Sequence, residues 1–529
     1  MTVLLHRSDC LPTGVWDCWA AIGGGRATLD PARAVEGLAG GLEAAFDAIA
    51  DEWLSLARRL GEAADAPLSH TPSAAPNASD LGLMMAWTKL VQRWAEDQRI
   101  VLVLCDDPWM FRHLADLPGV TAGAAPVLWP VALRRVLRGY AARARTAIRA
   151  AGAALRMRGQ HVEPGGPWLL VYGHPKSTRE GGDAYFADCM KDHPGLRRAL
   201  HVDAPPDRAA TLLSGRTCSL HGWGNPLFAL SLAFKRWRPQ AIGPWQWLVR
   251  RASAMEGGRG QAAAVAWQMH CQRRWLAAVR PQLVAWPWEN HAWERDLVHA
   301  ARACGTRTVG YQHSVIGRQM LNYGPGSCPD GQGSLPDEVV CNGQTTLDQL
   351  VAWGVTPSRL TIGGALRYAQ PGQVRFDPNA PVFLAVPFDH LTAQEMLEAA
   401  RDAARSRGLR FVLKDHPLFP FPFEDGGGVT RSTTQLEAQD GVSAVVFAAT
   451  TVGLEALLMG IPALRFRPTG RVAIDILPSG ITAPVTSAAT LADDLMDAQP
   501  PVPPDRASVF APVDAATWRR LFSPQGECS

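Results

Sequence analysis

The stretch FVLKDHPLFP, residues 411–420, ends an apolar run in Lys414, Asp415, His416 and Pro417. Lysine supplies a point charge and histidine a directed donor, a pairing suited to phosphate. Alternation along an extended chain puts Lys414 and His416 on one side and Asp415 on the other. Pro417 lacks a backbone N–H and stiffens the exit from the strand. Further on, VSAVVFA leads into ATTVGLEALLMG. Thr450 or Thr451 is a natural helix N-cap there, and the free N–H groups behind it suit an anion. Glu455, in the first turn, can reach the same crevice and accept from both hydroxyls of a ribose, as acidic residues do in other nucleotide folds. Gly453 lets a ligand approach the backbone. Plainer roles stand beside these: the threonines as caps, Glu455 as a complement to the helix dipole, and Lys414 and His416 as a solvated strand end.

A second constellation lies upstream in WPWENHAWERDLVHAARACGTRTVGYQHS, residues 286–314. Any transfer to a hydroxyl needs a group to take its proton. Glu289, on the turn after LVAWPW, is the candidate base, while Glu294 begins the following helix. His313, on the next strand-end turn, is expected to hold a ligand's carboxylate or phosphate or to act as the base. Capping by Glu289 and a structural role for His313 are the alternatives. Asn342 and Gly343 in VVCNGQTT, with Gly364 and Arg367 in IGGALRY, are plausible secondary contacts, although such glycines also make ordinary turns. Asp106 and Asp107 form an acidic pair, but no second cluster has hard-metal spacing, so no metal is expected.

The elements that position these residues are those of an α/β protein. The 529 residues allow two or three domains. The first hundred residues are mostly helical in pattern, and RIVLVLCDDPW at 99–109 is a buried strand with an acidic turn. Residues 283–314 read as strand, turn, helix, strand and turn, with both turns at strand C-terminal ends, where open parallel sheets bind ligands. After the loop at 324–337 the alternation restarts as a second doubly wound unit. The expected division is 1–337, 338–500 and a tail 501–529 packing back on the first domain. Residues 441–464 are apolar, but their glutamate, glycines and proline favour a strand, turn and buried helix over a membrane span.

Composition excludes little. The net charge of +3 argues neither for nor against nucleic acid, and no nucleic-acid partner is expected. Nineteen tryptophans suit both sugar stacking and core packing. Ten scattered cysteines read as reduced, and MTVLLHRSDCLPTG lacks the features of a signal peptide, so the expected compartment is the cytoplasm. Residues 131–160 hold eight arginines and no acid. They predict a basic amphipathic helix, which is either a solvated face or a peripheral contact with an anionic inner membrane.

KDHP followed by ATTVGLEALLMGIPAL resembles the nucleotide-binding half of GT-B glycosyltransferases. More narrowly, it is similar to bacterial sialyltransferases and 3-deoxy-octulosonate transferases, which use CMP-activated sugars. Their HP motif matches His416-Pro417. Their Ser-Ser/Thr motif stands here as Thr450-Thr451, which keeps the hydroxyls. Glu455 falls where such enzymes often hold the ribose. WPWENHAWE with YQHS resembles a family of bacterial surface-carbohydrate biosynthesis proteins. The resemblance covers roughly residues 280–470. It implies two Rossmann-like domains facing a central cleft. It also implies metal-independent transfer of an acidic sugar, without a cofactor, from a CMP donor to a surface polysaccharide or lipid-linked glycan. Lys414 and His416 would then stabilise the departing phosphate. The alternatives are a UDP- or GDP-sugar or CDP-polyol donor, and a non-catalytic polysaccharide-assembly or carbohydrate-binding protein on the same fold.

Overall fold

Short apolar strands joined by helices or long loops cannot pair as hairpins, and every pairing between strands here is parallel. The computed structural model describes residues 3–23, 29–368, 374–415 and 419–523. Its middle sheet has seven strands in the order Leu360–Ile362, Glu338–Cys341, Arg307–Gln312, Leu283–Pro287, Pro167–Val171, Arg197–Leu200, Thr217–Ser219. The chain starts at Pro167–Val171, runs to one edge, returns to Leu283–Pro287 and runs to the other. The last sheet has six strands, Val429–Arg431, Phe411–Lys414, Val382–Ala385, Val445–Phe447, Ala463–Phe466 and Val485–Thr486, and reverses in the same way. Both follow the Rossmann strand order, and each reversal makes a switch point where ligands bind. These are the two doubly wound units of the expected GT-B-like α/β fold.

Alternation sends successive side chains to opposite faces. Trp168 and Leu170 enter one core of the middle sheet, while Leu169 and Val171 enter the core on its other face. With both faces covered, strands such as PWLLV and LVAWP are buried at every position.

Two parts of the layout differ from the sequence reading. A third, four-stranded sheet orders Cys18–Ile22, Val101–Cys105, Val3–His6 and Val120–Ala122. Its core is continuous with one face of the six-stranded sheet, joining Val3, Leu5 and Val103 to Phe383 and Phe447. The expected boundary at 337/338 also divides a sheet. Glu338–Cys341 and Leu360–Ile362 pair with the middle sheet, so the change of sheet falls between Ile362 and Val382. A short apolar run has the same pattern whichever sheet it joins. In the tail, the helix Ala515–Phe522 sets Trp518 in the core beside Tyr311 and Phe186, with its Nε1 donating to the Gly363 carbonyl at 2.9 Å.

The lobes are tied by buried charge. Glu43 accepts from Arg465 and Arg467, and Arg318 reaches Glu43, Asp47 and Asp475. Residues 441–464 form a strand, the helix Val452–Leu458 and a second strand. Among the described residues no helix is long and apolar enough to cross a membrane.

Candidate functional site

At the middle sheet the turn after Leu283–Pro287 is organised by Glu294, in the first turn of the helix Ala292–Ala303. Its buried carboxylate accepts from Trp286 Nε1 at 2.8 Å and from the backbone N–H groups of Glu289, Asn290 and His291 at 2.9, 3.0 and 3.2 Å. Asn290 takes a positive φ of 57°, a conformation asparagine tolerates. The folded turn holds out Glu289, whose side chain is 36% exposed. Glu289 Oε2 lies 2.8 Å from His291 Nε2, and its Oε1 lies 3.8 Å from His313 Nε2.

The three groups are shifted in different directions. Burial opposes charge on Glu289, but the His291 hydrogen bond and the charges of His291, His313 and Arg367 outweigh it and hold the carboxyl at about 2. Burial also opposes charge on His291, yet Glu289 raises it above its ordinary value. His313 is buried and pushed down to about 4, chiefly by desolvation. One carboxylate therefore sits between an imidazole that tends to keep its proton and one that does not.

Aromatic rings surround this group. Tyr185 meets His313 edge-on at 4.9 Å between centroids, and Tyr172 packs against Tyr185, His201 and Trp293. His70, from the first hundred residues, sets its ring 5.2 Å from that of His291. Tyr172, His201, Glu289 and His313 all follow the C-terminal ends of neighbouring strands, with Tyr172 and Glu289 on the two sides of the switch point.

At the six-stranded sheet Lys414 Nζ lies 3.4 Å from the Thr433 carbonyl oxygen. Asp415 turns elsewhere, to Arg431 at 2.5 Å and the Phe421 N–H at 3.1 Å. His416 and Pro417 lie outside the described residues. The helix Val452–Leu458 starts without a side-chain cap from Thr451, whose hydroxyl donates to Glu455 Oε1 at 3.2 Å. Thr450 Oγ1 accepts from the Val452 N–H at 3.5 Å. Glu455 is half-buried and raised to about 7, first by burial and then by Glu437, against the pull of Thr451, Arg367 and Arg506.

Three expected contacts have internal roles instead. A Cβ on Gly453 would stand 2.4 Å from the Phe447 ring, so the glycine lets the helix pack on its strand rather than admitting a ligand. Gly364, at φ +83°, faces the Pro512 carbonyl oxygen, which a Cβ would meet at 2.2 Å. Asn342 is wholly buried, with its amide donating to the Ser314 carbonyl and its oxygen accepting from Thr346, each at 2.7 Å. These residues fix loops and lack room for a ligand. Asp107 caps the helix Pro108–Ala115 and pairs with Arg251, while Asp106 binds Ser8.

Arg367 links the two halves. It is exposed, and its guanidinium lies 5.7 Å from the Tyr185 ring centroid and 5.6 Å from that of Tyr368. Its positive charge lowers the proton affinity of both Glu289 and Glu455. Tyr368 faces the hydroxyls of Ser314, next to His313, and of Thr451, next to the Glu455 helix. Glu289 and His313 thus form one group at the middle sheet and Thr451 and Glu455 another at the six-stranded sheet, with Arg367 beside Tyr185 of the first group and beside Tyr368. Sequence reasoning missed Tyr172, Tyr185, His70 and Tyr368 as neighbours of these residues. A signal existed for Tyr172 alone, because VYGHP ends a strand as GYQHS does.

No family model matches the chain, and neither does any curated protein. Solved structures with some likeness include UDP-GlcNAc 2-epimerase from Methanocaldococcus jannaschii in complex with UDP-GlcNAc and UDP, at 7% identity and a TM-score of 0.41, covering 67% of this chain and 99% of that one. MnaA of S. aureus with UDP gives 9% identity and a TM-score of 0.35, covering 67% and 95%. The lipopolysaccharide outer core galactosyltransferase WaaB gives 12% and 0.34, covering 62% and 88%. The fold assignment rests on the strand orders themselves.

Proposed function

We propose that this chain is a glycosyltransferase acting on a nucleotide sugar, with the donor between two Rossmann-order sheets. The observation that carries the reading is the position of Glu289 and Glu455 past strand ends of different sheets, with the exposed Arg367 set beside Tyr185 and Tyr368. Lys414, His416 and Arg367 would hold the donor phosphate and Glu455 the ribose. The acceptor oxygen would attack the anomeric carbon as the bond from that carbon to the phosphate oxygen breaks. The nucleotide leaves with the bonding pair, and the acceptor proton passes to the Glu289–His291 pair. The reading assigns no metal or cofactor. Its acceptor is a surface polysaccharide or lipid-linked glycan.

The donor base divides two readings. The CMP reading depends on His416-Pro417 and Thr450-Thr451. Both threonine hydroxyls already have partners inside the chain, Thr451 on Glu455 and Thr450 on the Val452 N–H. A hydroxyl both donates and accepts, so neither bond uses up its threonine, and the two donors stand level. Competition of UDP and CMP for the site separates the two. Incubation with labelled nucleotide sugars and a lipid-linked glycan tests the transfer. Nucleotide release that depends on Glu289 and on the acceptor supports the reading. Glycan binding with no release would instead favour a carbohydrate-binding protein on this fold.

A further inference from the structure

The helix Leu128–Arg156 carries arginines that the candidate site does not use. Gly139, Ala147, Ala150 and Ala154 form its buried face. Beside its N-terminal half lies a cleft of about 660 Å³. Arg135 and Arg143 line it from this helix, Arg236 and Arg238 from the segment after Phe234, and Arg250 from the helix Gln246–Arg259. No carboxylate lines it, and none of the five is in an ion pair among the described residues.

Among the described residues, Arg143 alone of the five hydrogen-bonds the chain through its guanidinium, to the carbonyl oxygens of Ala233 and Gly257 at 3.1 and 3.2 Å. Arg236 Nε is buried without a hydrogen-bond partner. Arg250 stacks over Trp247, 5.0 Å from the ring centroid. Guanidinium groups that share a cleft with no carboxylate in its lining repel one another, and one buried donor, Arg236 Nε, is left unsatisfied; a bound polyanion would relieve both. Guanidinium forks match phosphate oxygens two at a time. The volume lies within the range of about 300–1,000 Å³ typical of small-molecule sites, so it has room for more than one phosphoryl group.

We infer that this cleft binds a pyrophosphate-type polyanion, either free or as the headgroup of a lipid. The site is separate from the Glu289 and Glu455 groups, and its assignment does not rest on the proposed transfer. The same half of the helix leaves Trp129, Leu133 and Leu137 exposed at 69%, 48% and 62%, an apolar rim that a lipid-borne phosphate would meet.

The test is titration of inorganic pyrophosphate into the full chain, beside sedimentation with phosphatidylcholine vesicles with and without phosphatidic acid. Two double variants are compared, Arg135→Ala/Arg236→Ala and Arg238→Gln/Arg250→Gln. The second alters two exposed side chains and should fold normally. Saturable pyrophosphate binding, weakened at least about tenfold in the variants with UDP binding unchanged, is the expected result. Vesicle binding that requires phosphatidic acid and is lost in the variants, without binding of free pyrophosphate, would assign the lipid source. Binding of neither probe, or equal binding by wild type and both variants, would overturn the inference.

Discussion

Nε2 of His291 lies 2.8 Å from Oε2 of Glu289, and the two titrate as a unit. Burial disfavours the His291 charge, but the carboxylate prevails and raises the imidazole above 6.5. While that proton is present, the pair is a poor acceptor of another. Turnover should therefore rise with pH through an inflection above 6.5, the ordinary histidine value. His291→Gln should remove the inflection and lower kcat by about 10²–10⁴ with nucleotide affinity intact. A pH–rate profile of wild type and variant, paired with nucleotide titration, checks both.

Glu455 gives a second pH dependence, of opposite consequence for stability and for binding. Its folded value of about 7 exceeds the ordinary 4.5, chiefly through burial. Between these values the folded chain keeps a proton that the unfolded chain has lost, so stability declines as pH rises across that window. Ribose hydroxyls are better accepted by the charged carboxylate, so nucleotide affinity should rise over the same interval. Glu455→Gln should flatten both trends, read as Tm and Kd from about pH 5 to pH 8.

Gly453→Ala should destabilise the protein by about 1–3 kcal/mol, because the added methyl would stand 2.4 Å from Phe447 ring atoms. The clash would also displace the helix that carries Glu455. Thermal denaturation of the single variant and of Gly453→Ala/Phe447→Leu checks the cause, since the smaller partner should restore part of the loss.

Glu43 is buried among Arg465, Arg467 and Arg318. Removing it takes from the buried Arg465 the carboxylate 2.8 Å away and leaves it the more distant Asp475, at 3.9 Å. Glu43→Ala should cost about 3–5 kcal/mol in denaturant unfolding, well above the loss for an exposed ion pair.

The α/β class and the strand ends bearing Lys414, Glu289 and His313 were legible because a buried parallel strand that stops in polar residues has few explanations. The partner sheet of Glu338–Cys341 was not, since pairing depends on sequence far away. In sequence Gly453 and Gly364 look like ligand-side positions, but the neighbour that requires a missing Cβ, Phe447 in one case and Pro512 in the other, is known only in three dimensions. His70 and Tyr185 lie in irregular segments with no periodicity. Nothing local indicates that either folds onto the Glu289 turn.

If the lobes share one site, nucleotide binding must depend on the cation between them as well as on the ribose carboxylate. Calorimetric titration of UDP and CMP into wild type, Arg367→Ala, Glu455→Ala and Glu289→Gln addresses this directly. The expected result is a loss of at least about tenfold for Arg367→Ala and Glu455→Ala, with near-normal affinity but no turnover in Glu289→Gln. Unchanged affinity in both Arg367→Ala and Glu455→Ala would contradict a shared nucleotide-sugar site.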